Sequence, residues 1–152
     1  MSENDYRTTI DLEADAGTVY RAVATCEGIS GWWTQFTTFD DREGSEALMR
    51  FPSAGFHARM RVDELKPSER VVWTCIDARH PPGVSSEPDD WIGTRISFDI
   101  QSEGEGRSKL TFTHHGLRPL ECADVCTDVW RFFIHDSLRK FVESGKGEPA
   151  TA

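Results

Sequence analysis

Residues Cys122 to Gly147 read CADVCTDVWRFFIHDSLRKFVESGKG. At helical spacing Cys122, Cys126, Trp130, Phe133, Ile134, Ser137 and Phe141 fall on one broad face, which predicts a long amphipathic helix with unusually bulky groups along its stripe. Such a face must lie across something large and apolar. Most of what precedes it is strand-like, so the helix should cover a sheet. Any functional space then lies between the two.

Working back from the helix, Lys109–His115 alternates, with Leu110, Phe112 and His114 on one side and Thr111, Thr113 and His115 on the other. A glycine-rich hairpin, SEGEGRS, joins it to Trp91–Gln101, where Ile92, Thr94, Ile96, Phe98 and Ile100 share a face. The segment from Ala78 to Asp90 holds three prolines and predicts the longest loop. Glu69–Asp77, Phe56–Leu65 and Ala47–Phe51 predict three further strands, with Phe56, Ala58, Met60 and Val62 facing one way. Tyr6–Leu12 predicts a first strand. Asp15 can cap a short helix over Ala16–Thr25 that Gly28 should break, and GISGWWTQF predicts a second short helix or turn presenting Trp32 and Trp33. The sum is an α+β domain: one-face alternation in every strand means an antiparallel sheet with one wet and one covered face.

The chain has 152 residues, enough for a single domain (1–152, with the ordered part at about 6–145) that buries roughly 70% of its unfolded surface. Its net charge of −9 argues against nucleic-acid and anionic-membrane partners, which reward a basic patch. No apolar run approaches membrane-spanning length and the start MSENDYRTTI has no signal-peptide pattern, so a cytoplasmic location is expected. Five Trp and nine Phe against two Tyr suggest an apolar interior with few hydroxyls.

Little in this pattern reads as chemistry. His114 points inward by strand alternation, where it could orient a ligand or act as a general base, but a core histidine satisfied by a carbonyl or water accounts for it as well. No carboxylate at readable spacing supports it, which leaves it a weak catalytic candidate. Cys122 and Cys126 share a helix face as two metal ligands would, yet no third ligand is placed by the sequence and His135 lies off that face. They read as apolar packing, and neither a metal nor a cofactor is expected. Ser137 sits mid-helix, where it can bond a carbonyl one turn earlier or contact a ligand. No GxSxG, GxGxxG or P-loop pattern occurs.

Three stretches resemble a known family: LEADAGTVYRAVATCEGISGWW, then DWIGTRISFDI with SKLTFTHHGL, then Cys122, Cys126, Trp130, Ser137, Leu138, Gly145, Gly147 and Pro149. They are similar to the activator of Hsp90 ATPase homologue 1-like (AHSA1-like) family, in its bacterial single-domain branch, within the SRPBCC, START-like or Bet v 1-like superfamily. The resemblance implies a helix-grip fold, a curved antiparallel sheet wrapped around the long C-terminal helix with two short helices after the first strand. It also implies an apolar cavity between sheet and helix. The eukaryotic co-chaperone carries a further, chaperone-engaging domain, so its activity is not inherited here.

On this basis the chain reads as a domain that binds a small hydrophobic molecule, such as a lipid, flavonoid or polyketide-like compound. Expected ligand-binding residues are Trp32, Trp33 and Phe36 at the mouth and Met49, Phe51, Phe56, Met60, Phe98, Phe112, His114, Trp130, Phe133, Ile134 and Ser137 inside. One alternative is a cyclase- or hydrolase-type enzyme using the same cavity with His114 as base. Another is a stress-related chaperone cofactor or interaction protein. Val125 and Phe132, on the helix's far side, fit either a homodimer contact or packing under the long loop, which leaves the oligomeric state open.

Overall fold

The computed structural model describes residues 3–152. Seven strands, β1 (Tyr6–Leu12), β2 (Phe36–Thr38), β3 (Glu46–Phe51), β4 (Phe56–Lys66), β5 (Arg70–Arg79), β6 (Arg95–Ser102) and β7 (Ser108–His115), form one antiparallel sheet in the order β1-β7-β6-β5-β4-β3-β2. Consecutive strands from β2 to β7 are neighbours, and β1 closes the far edge by pairing with β7 from Tyr6↔His114 to Leu12↔Ser108. Register shifts in β4 at Arg59/Met60 and Val62/Glu64 add local twist, which helps the sheet curl. This is the helix-grip architecture.

Two short helices, α1 (Ala16–Ala24) and α2 (Cys26–Trp32), follow β1. The Asp15 carboxylate accepts from Thr18 N–H at 2.9 Å and caps α1. The break between them comes at Thr25 and not at Gly28. The Thr25 hydroxyl donates to Arg21 O at 2.7 Å and accepts from Gly28 N–H at 3.0 Å, so one residue ends α1 and caps α2.

The closing helix runs through α3 (Ala123–Arg131), a π-helical segment (Phe132–Leu138) and α4 (Arg139–Ser144) before stopping at Gly145. The wider π turn lets Ile134, Ser137 and Leu138 all be buried. Ser137 Oγ donates to Trp32 O at 2.6 Å and accepts from Glu148 N–H at 2.8 Å, which ties together the helix, α2 and the chain beyond it. That tail runs back along α2: Gln35 N–H donates to Ala150 O and Ala150 N–H to Trp33 O, both at 2.9 Å. The approach requires glycine at 147, where a Cβ would lie 2.6 Å from Gly31 O and 2.8 Å from Ser137 O.

The expected strand over Trp91–Gln101 begins only at Arg95. Gly93 has φ +91°, outside any strand conformation, and Trp91–Thr94 forms a turn closed by Thr94 N–H to Trp91 O at 2.9 Å. In consequence Trp91 is buried, whereas Ile92, expected to face inward, is exposed.

Candidate functional site

Three Trp rings from distant parts of the chain converge under the first half of the closing helix. Trp130 stacks on Trp33 from α2's end (centroids 5.0 Å apart, planes 26° apart) and on Trp91 from the loop after β5 (5.9 Å, 11°). Phe51 and Phe56, at the two ends of the β3–β4 turn, stand 5.6 Å from each other and edge onto Trp33 and Trp91 respectively. A cavity of about 640 Å³ opens beside them, roofed by Cys126, Val129 and Phe133, walled by the β3–β4 turn and by His80, Pro81 and Val84, and bordered by the chain from Pro149 to Ala152. Its volume falls within the usual range for small-molecule sites.

Of the residues expected to bind a ligand, Trp33, Phe51, Phe56, Trp130 and Phe133 line this cavity. The others do not. Met49, Met60, Phe98, Phe112 and Ile134 are fully buried and lie outside its lining. Trp32 is sealed between Trp33 and Phe98, and its indole N–H donates to Ala22 O at 2.7 Å. Phe36 sits on the edge strand β2, and Ser137 is occupied by Trp32 and Glu148. The cavity therefore lies toward one end of the grip rather than along its length.

His114 lies behind Trp130, outside the cavity lining and fully buried. Its protonation can be read from its partners. The Trp130 indole can only donate, and its Nε1 is 3.0 Å from Nδ1 of His114, so Nδ1 carries the lone pair. The Thr94 hydroxyl gives its proton to Trp91 O at 2.7 Å and must accept from His114 Nε2–H at 2.9 Å. Both nitrogens of a neutral imidazole are thus used. Burial, with a smaller contribution from the neighbouring His115, pushes its pKa down to about 3.

A second polar cluster sits at the cavity's end. His80, Cys122 and Cys126 are all buried, with their potential ligand atoms within 4.8 Å of one another. His80 Nε2 is 2.9 Å from Asp90 Oδ1, and the Trp91 indole donates to Cys126 Sγ at 3.3 Å. The Cys122 thiol hydrogen-bonds the Cys126 sulfur, raising its own pKa and lowering that of Cys126, where the Trp91 N–H assists against burial. Burial opposes charge on His80, but its hydrogen bonds to Cys122 and Asp90 and their charges outweigh it and raise the pKa. Sequence spacing shows the cysteine pair but not its company. His80 and Asp90 come from an irregular loop with no periodicity to place them.

The fold and its aromatic cavity define a helix-grip domain. The chain belongs to the Activator of Hsp90 ATPase homolog 1-like protein family, whose profile matches residues 13–143. Among solved structures it is similar to the Aha1 dimer from Colwellia psychrerythraea (26% identity, 94% of this chain and 98% of that one, TM-score 0.75). It shares its fold with a Staphylococcus saprophyticus protein (15% identity, 97% and 98% coverage, TM-score 0.71) and a Chromobacterium violaceum protein (19% identity, 93% and 99% coverage, TM-score 0.70). No curated protein matches the sequence. Among the described residues no helix is long and apolar enough to cross a membrane.

Proposed function

We propose that the protein binds a small apolar molecule, of lipid, flavonoid or polyketide-like character, in the cavity beside Trp33, Trp91 and Trp130. The observation that carries this is a cavity of about 640 Å³ whose walls are aromatic and aliphatic. The enzyme alternative draws no support from His114, whose only free lone pair is taken by Trp130. Three of the chain's tryptophans line the space, so a bound ring or acyl chain should quench or shift their fluorescence. Titration with fatty acids, flavonoids and polyketides is expected to give saturable quenching and a raised Tm. Ala54→Trp, which fills the cavity from the β3–β4 turn, should abolish both. A panel without any response, or an Ala54→Trp variant that binds as well as the parent, overturns the proposal.

A second reading concerns self-association. Val125, Val129 and Phe132 form an exposed apolar stripe at i, i+4 and i+7 on α3 and the start of the π segment. The Colwellia relative is a dimer. Val125 and Val129 also border the cavity, so a partner helix on this stripe would narrow its entrance. Sedimentation should show a concentration-dependent dimer that Phe132→Glu dissociates. A parent protein that sediments as a monomer at every concentration rules it out.

A further inference from the structure

The geometry points to a site for a thiophilic divalent cation of the zinc type, held by His80, Cys122 and Cys126, with its fourth position facing the cavity. The site goes beyond apolar-ligand binding and stands independently of it.

Two sulfurs and an imidazole nitrogen are a donor set that zinc favours. Cys122 and Cys126 present their sulfurs one helical turn apart, and His80 reaches them from the loop after β5. In a tetrahedral site with bonds of about 2.0–2.3 Å, ligand atoms lie about 3.5–3.8 Å from one another. The three donors here lie within 4.8 Å of one another, so closing on an ion requires shifts of only about 1 Å. Each donor is buried, and the cavity, which both His80 and Cys126 line, gives an ion a path in.

The surroundings supply what such a site needs behind its ligands. Asp90 Oδ1 holds His80 Nε2 and leaves Nδ1 as the nitrogen for the cation, the carboxylate–histidine pairing that commonly orients a metal-binding imidazole. The Asp90 side chain is only 2% exposed, and its second oxygen, Oδ2, has no hydrogen-bond partner. A buried carboxylate with one oxygen unused beside two thiols is costly by itself. A cation on Nδ1 would polarise the imidazole and strengthen the Nε2–H hydrogen bond that the carboxylate accepts. The Trp91 indole N–H, on Cys126 Sγ, is a donor suited to a thiolate. The site was not visible in the sequence because His80 and Asp90 lie within or at the edge of the proline-rich loop, far from the cysteine pair.

Cobalt(II) titration of the chelator-stripped protein tests this. One equivalent should produce thiolate-to-cobalt charge-transfer absorption with the visible bands of a tetrahedral ion, and zinc should displace it. Cys126→Ser should remove the charge-transfer band, whereas Cys26→Ser, remote from the cluster, should keep it. If Cys126→Ser does not fold, Asp90→Asn carries the comparison, with cobalt affinity lowered about 10–100-fold through loss of the His80 partner. Absence of a charge-transfer band in the parent protein overturns the site, as does full retention of affinity in Asp90→Asn.

Discussion

Trp130→Ala is expected to lower the stability of the protein by about 3–5 kcal/mol in urea unfolding, the range for removing a large buried aromatic. Trp130 is 1% exposed and touches four other rings, including Phe112 at 4.6 Å between centroids. Its loss would leave a hole bounded by the sheet on one side and Trp33 and Trp91 on the other. Neither Trp can move in to fill it, since Trp33 is anchored by Ala150 and Trp91 by the turn at Gly93. The substitution also strips the donor from His114 Nδ1, and a buried acceptor left unpaired costs about 1–3 kcal/mol. Trp130→Phe deletes the N–H but keeps a six-membered ring in place of the nine-atom indole, so it leaves Nδ1 unpaired with a smaller hole than alanine does; a loss of at least about 1–3 kcal/mol is expected, below that of Trp130→Ala. A loss under about 1 kcal/mol for Trp130→Ala would mean that the closing helix does not depend on this ring. The same variant should enlarge the cavity toward His114, so ligands that saturate the parent should bind Trp130→Ala with altered size preference.

Trp130 also shows what was legible before the structure. Its place on the inner stripe follows from spacing alone, as do the pairing partners Phe98 and Phe112, because alternation in a one-face sheet leaves no other direction. An antiparallel sheet covered by the closing helix could be read on that basis, and the family resemblance made it a helix-grip fold. The cavity's position could not. Period-2 and period-3.6 patterns tell which face a residue takes, but core and cavity lie on the same face. Met49 and Phe51 illustrate this: two positions apart on β3, both inward, yet only Phe51, the strand's last residue beside the β3–β4 turn, meets the void. The far wall comes from irregular backbone, the loop carrying His80, Pro81 and Val84 and the chain from Pro149 to Ala152, neither of which has a period to read. The π segment over Phe132–Leu138 was equally hidden, since an apolar stripe read at 3.6 residues per turn does not mark where a helix widens.

His114 should make the protein acid-sensitive well above the range where carboxylates titrate. An unfolded histidine has a pKa near 6.5, whereas in the fold this one is pushed down to about 3. The folded state therefore holds the imidazole neutral throughout that window, while the unfolded state takes up a proton as pH falls. Stability contributed by the neutral ring is full above about pH 6.5 and declines as pH drops toward 3, because protons favour the unfolded chain. The loss is roughly 2 kcal/mol between pH 7 and pH 5, and roughly 4 kcal/mol by pH 3. The partners make the ring hard to protonate in place: adding a proton at Nδ1 would set N–H against the Trp130 N–H, and Nε2 already gives its proton to Thr94. His114→Gln removes the titration while keeping a donor and an acceptor. Its stability deficit relative to the parent should shrink by roughly 2 kcal/mol from pH 7 to pH 5, since only the parent loses this contribution. His115, which bonds Ser97 and Asp5, is present in both proteins and cancels in the comparison. A deficit that stays constant over that range would show that His114 becomes protonated without unfolding, and the buried Trp130–His114–Thr94 chain would then not be what holds the ring neutral.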